Sequence, residues 1–83
     1  MRKVLINEVY HHFKGHDYKV LSVARHSEDL SYFVVYENIE SHEVWVRPYD
    51  EFISLVDTKK YPSVKQKYRF ELKKKRRKVK WLS

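Results

Sequence analysis

Between positions 8 and 48 the apolar residues come in short alternating runs separated by polar turns, which predicts antiparallel strands. The run EVYHHF (8–13) sets Val9, His11 and Phe13 on one side and Tyr10 and His12 on the other. KGHD follows, a turn in which Gly15 can take the positive φ that costs other residues strain. In YKVLSVAR (18–25), Tyr18, Val20, Ser22 and Ala24 share one face, and Lys19, Leu21 and Val23 share the opposite one. HSEDLS (26–31) is a polar turn. YFVVYEN (32–38) is a continuous β-branched and aromatic run, which predicts a strand buried on both sides. VWVRP (44–48) is a strand that Pro48 closes, because proline cannot donate to a ladder.

The period then changes. Pro48 suits a first helical turn, and Asp50 and Glu51 favour the positive end of the helix dipole. Phe52, Leu55 and Val56 fall at helical spacing, so about two turns of helix are expected near 48–56. KYRFEL (67–72) alternates again, with Tyr68, Phe70 and Leu72 inward, as a closing strand. The pattern as a whole predicts a mainly β fold: a small antiparallel barrel of about five strands with one short helix. A single domain is expected over 1–72, followed by a basic C-terminal tail at 73–83.

Composition narrows this picture. The chain has 83 residues, so apolar burial must come from one small core, and an aromatic content of 16% supplies large rings for it. There is no cysteine, so neither disulfides nor thiolate metal sites hold the fold, and a reducing, cytoplasmic location is expected. No apolar run is long enough to span a bilayer and no secretory signal pattern opens the chain, so membrane insertion is not expected. Charge is the most informative quantity. The formal net charge is +7, and seven of the eighteen basic residues lie between 73 and 80. The other eleven balance the eleven acidic residues, all of which lie before position 73. The body is formally neutral, and the basicity is local to the tail.

The stretch YHHFKGHDYKVLSVARHSEDLSYFVVYENIESHEVWVRP, with a later Arg69-Phe70, resembles the bacterial family known as domain of unknown function 1653. The resemblance rests on Tyr10, His12, Phe13, Lys14, Gly15, Tyr18, Val20, His26, Ser27, Glu28, Val34, Val35, Tyr36, Trp45, Val46, Arg47 and Pro48. It implies a small SH3-like domain and no established activity. His11 stands where the family often has arginine, and the tail after Leu72 lies outside the family pattern.

Two groups are candidate binding sites. In the tail, Lys73, Lys74, Lys75, Arg76, Arg77, Lys78 and Lys80 can neutralise phosphates and release counterions, and Trp81 offers a ring on which a base could stack. The bland alternative is a solvated extension. On the body, Tyr10, His12, Lys14, Trp45 and Arg47, with Tyr36 nearby, could line one groove that joins stacking surfaces to anion-binding donors. Against this, Tyr36 and Trp45 are more often core residues in a domain this small, and Arg47 could be a structural partner for Glu28, Glu37 or Glu43.

Catalytic and metal chemistry find less support. His26 with Glu28 or Asp29 could do acid–base work, but RHSED reads more simply as a turn. A site joining His12 and His26 would need both in one pocket. His11, His12 and His16 are close in sequence, yet adjacent strand residues face opposite ways and no carboxylate completes a ligand spacing. No enzyme activity, cofactor or metal is expected. The expected function is a small nucleic-acid-binding module for RNA or single-stranded DNA. The alternative is a non-enzymatic adaptor for an acidic protein or peptide.

Overall fold

A computed structural model describes residues 3–73, so all of the tail except Lys73 lies outside the described residues. Five antiparallel strands form one sheet: β1 (Val9–His12), β2 (Asp17–Arg25), β3 (Tyr32–Asn38), β4 (Val44–Pro48) and β5 (Phe70–Leu72). Their order is β4-β3-β2-β1-β5, which leaves β4 and β5 as opposite edges. Among the described residues the sheet is therefore open and does not close into the expected barrel.

Tight turns join the first four strands. Gly15 has φ 110°. Its N–H donates to the His12 carbonyl, and His12 N–H donates to the His16 carbonyl, both at 2.8 Å, closing the β1–β2 turn. Asn38 Oδ1 accepts from the N–H groups of Glu40 and Ser41, which nucleates the β3–β4 turn. The 26–31 segment is the turn that its composition predicts. Ser31 N–H and Oγ both donate to Asp29 Oδ1, and the Arg25 guanidinium donates to the Leu30 carbonyl.

One face of the sheet carries the core. Val20, Val34, Tyr36, Phe52 and Phe70 are buried there with Tyr10 and Val4. Phe52 stacks on Phe70 with centroids 4.0 Å apart, and the Tyr10 and Tyr36 rings meet Phe52 edge-on, each at 5.4 Å. Aromatic edge-to-face contact gives this small core more stabilisation than its area alone.

Four local expectations change. β2 carries a register shift between Val20 and Ser22. The extra residue, Leu21, resets the alternation, so Val23 rather than Ser22 joins the Val20 face, opposite Val34. β3 is not buried on both sides: only Val34 and Tyr36 are buried, one face in alternation. The helix α1 (Tyr49–Phe52) is one turn rather than two. After it, Leu55 leaves the helical path to bridge Tyr68, and it is exposed rather than inward. β5 is correspondingly shorter than the run 67–72, with Phe70 buried and Leu72 exposed.

Candidate functional site

Register decides which predicted groove residues meet. Tyr10 pairs with Tyr18, Val20 with Tyr36, Tyr36 with Trp45, and Val34 with Arg47. His12 follows the Tyr10 parity and pairs with Phe70. His12, Tyr18, Tyr36, Trp45 and Arg47 therefore share the core-side face of the sheet. Tyr10 shares that face too, but it is 3% exposed and belongs to the core, where its hydroxyl accepts a hydrogen bond from Leu5 N–H at 2.9 Å.

Trp45 differs from the other rings of this face. It is 49% exposed, because β4 is an edge strand and nothing among the described residues covers its outer side. Tyr36, the other ring that the sequence left open between core and groove, is buried. Its hydroxyl accepts from Arg47 Nε at 3.3 Å, and Arg47 Nη1 lies 3.5 Å from Glu51 Oε1. The acidic partner of Arg47 is thus Glu51 of α1, not Glu28, Glu37 or Glu43. Lys14 sits on the β1–β2 turn, with its ammonium 5.5 Å from the Tyr61 ring centre.

His12 holds the inner end of this surface. Its ring stacks on Phe13 at 4.6 Å and meets Phe70 edge-on at 4.7 Å. Nδ1 accepts from Lys14 N–H at 3.0 Å, so a neutral ring carries its proton on Nε2. Burial lowers its pKa to about 4, and the charges of Arg47, Arg69, Lys14 and His16 add to the shift. At neutral pH the ring is an uncharged donor beside cationic side chains. Sequence reasoning missed Arg69 in this group. Its Nε donates to Ser54 Oγ at 3.2 Å, and the pairing of β1 with β5, which sets His12 opposite Phe70, brings it near His12.

The reverse face begins the basic run. Lys73 Nζ lies 2.6 Å from Asp17 Oδ2, and His11 Nδ1 lies 2.6 Å from the other oxygen. These two hydrogen bonds, that of Lys73 foremost, hold the Asp17 carboxyl below its ordinary range. Lys73 is thus already paired. Lys74, Lys75, Arg76, Arg77, Lys78, Lys80 and Trp81 lie outside the described residues.

Among the described residues, the other sequence candidates are not assembled into one site. His26 lies beyond the end of β2 at Arg25, whereas His12 adjoins its start, so the two histidines stand at opposite ends of that strand. His26 Nδ1 accepts from Glu28 N–H at 3.2 Å, as a turn residue does. Among the described residues no group of three metal-ligating side chains occurs, and no helix is long and apolar enough to cross a membrane. A cleft of about 730 Å³ opens at the far end of the core-side face, lined by Val4, Ile6, Val23, Tyr32 and Tyr49. None of the predicted groove residues lines it.

Comparison with curated proteins and with solved structures gave no significant match. A family model described as "Protein of unknown function (DUF1653)" matches residues 8–72, which contain all five strands, α1 and every groove residue. The match covers well over half of the chain, and the protein belongs to the DUF1653 family.

Proposed function

We propose that the protein is a cytoplasmic, non-enzymatic SH3-like module that binds single-stranded nucleic acid. The order β4-β3-β2-β1-β5, the bulge that bends β2 and the short helix between β4 and β5 support the SH3-like reading. The observation that carries the binding reading is Trp45, half-exposed on the same sheet face as Arg47. A stacking ring beside a guanidinium suits a base with its neighbouring phosphate. Arg47 is held toward this face by the Tyr36 hydroxyl, while Lys14 and neutral His12 offer further donors along it. The basic run supplies the electrostatic share of the affinity.

The test is binding of a generic single-stranded oligonucleotide across a salt series. Lys73 is already paired with Asp17, so six cations of the run remain for phosphates. At ~0.7 released counterions per charge, the log–log salt slope is expected near about −4. Truncation after Lys73 should flatten the slope sharply. Trp45→Ala should weaken binding by roughly five- to a hundredfold with the slope unchanged, the loss of one stacked base. If truncation leaves both affinity and slope intact, the proposal fails.

A further inference from the structure

The outer edge of β4 has a feature that the binding reading does not use. The Asn38 N–H donates to the Glu43 carbonyl at 2.9 Å, which makes that pair a hydrogen-bonded one in the β3–β4 ladder. Antiparallel pairs alternate, so Tyr36–Trp45 and Val34–Arg47 are hydrogen-bonded as well. The N–H and C=O groups of Val44 and Val46 then point away from β3. Pro48 falls at the next outward position, where a missing N–H costs the sheet nothing. Val44 and Val46 are also 57% and 62% exposed, so the strand presents both free backbone groups and apolar side chains. Such an edge is a template for another strand.

The sequence of that edge, Glu43-Val44-Trp45-Val46-Arg47, is self-complementary. We propose that β4 pairs with β4 of a second copy of this chain, antiparallel, about a two-fold axis through Trp45. In this register Val44 of each copy exchanges two hydrogen bonds with Val46 of the other, satisfying every outward N–H and C=O of the two valines. Trp45 faces its own counterpart as a non-hydrogen-bonded pair, the closer of the two antiparallel spacings. Glu43 faces Arg47 twice, once on each side of the axis, so the charges match as well as the backbone. Shifting the axis to Val46 would set Val44 against Pro48, which has no N–H. Shifting it to Val44 would bring in His42, whose φ of 65° is not that of a strand. Centring on Trp45 alone satisfies both backbone and charge.

A five-residue edge is small, so the pair belongs to the weak, transient class of interfaces. It leaves the core-side face open and brings the two Trp45–Arg47 groups together on one continuous surface.

The test uses the full chain, free of nucleic acid and at high salt, so that bridging by an oligonucleotide cannot contribute. Its failure would leave the proposed function standing. Sedimentation should shift from monomer toward dimer mass as concentration rises. Val46→Pro removes only an outward N–H and should hold the protein at monomer mass with an unchanged circular dichroism spectrum. Glu43→Lys, which spares the strand backbone altogether, should weaken dimerisation roughly tenfold through two lost charge pairs. The chain has no cysteine, so introduced thiols report register without background. Trp45→Cys should form a disulfide dimer under mild oxidation, since the closely spaced pair lies within disulfide reach. Val44→Cys and Val46→Cys should cross-link with each other and not with themselves. A monomer at every concentration, or equal cross-linking of all three cysteine variants, would overturn the proposal. So would cross-linking of the Trp45→Cys variant that survives the addition of Val46→Pro.

Discussion

His12 and Asp17 sit close to the same turn on opposite faces of the sheet, and both make the fold sensitive to acid by different routes. The pKa of His12 is lowered to about 4, below the unfolded value of 6.5, because burial and nearby cations disfavour its charged form. As pH falls, the unfolded chain takes up that proton first. Stability from this group is therefore full above about 6.5, declines down to about 4, and changes no further below. Asp17 is also depressed, by its hydrogen bonds to Lys73 and His11, but as a carboxylate it acts lower. Its contribution is present above the ordinary aspartate range and is lost as pH falls through its own lowered pKa. A proton NMR titration should place the His12 imidazole near 4, and His12→Phe should flatten the stability profile between about 6.5 and 4. Lys73→Ala should instead lower stability at and above the ordinary aspartate range, and the difference from wild type should vanish at the acidic end. The sequence singled out His12, though not this role, and left Asp17 as an unremarked member of the KGHD turn. Parity put His12 on the right face, whereas its environment depends on Arg69, distant in sequence. The expected groove likewise joined Tyr10 with Trp45, whereas the inner position of β1 buries one and the edge position of β4 exposes the other.

At the scale of elements, strand positions were legible because alternation and turn residues are local signals. β4 occupies the predicted residues, and β2 differs by one at its start. What local pattern does not carry is the consequence of one extra residue. Leu21 looks like an ordinary member of an alternating run, yet as a bulge it reverses the faces of everything after it. The length of α1 was likewise hidden, since Leu55 fits a helical stripe but is drawn into a bridge with Tyr68. Gln66 shows how the irregular 53–69 segment is fastened. Its Nε2 donates to the carbonyls of His11 and Tyr68, each at 2.9 Å, joining the segment to β1. Gln66→Ala should cost roughly 1–3 kcal/mol, because two partly buried carbonyls lose their donor. Chemical denaturation should show this as a lower midpoint with an unchanged m-value.

For the whole molecule, the excess positive charge lies in the sequence at 73–80, whereas the described core is drawn from Val4 to Phe70. The core centres on Phe52, fully buried between the sheet and the rings of Tyr10, Tyr36 and Phe70. Phe52→Ala should cost ~3–5 kcal/mol, a large fraction of what a domain this small possesses, and thermal melting should show a much lower midpoint. Truncating the basic run after Lys73 should leave that midpoint almost unchanged, since Asp17 keeps its partner.

The order of strands has a consequence of its own, because β4 and β5 occupy opposite edges. Two copies joined at β4 would place their β5 strands at the far margins of a ten-stranded sheet, nine strand spacings or roughly 40 Å apart. Each margin is where a basic run begins. The pair would then act as a bivalent ligand with a built-in ruler. Oligonucleotides too short to reach both margins should bind as they do to one chain, while longer ones gain avidity from the second contact. Affinity measured against oligonucleotide length should show a threshold in wild type and none in Val46→Pro.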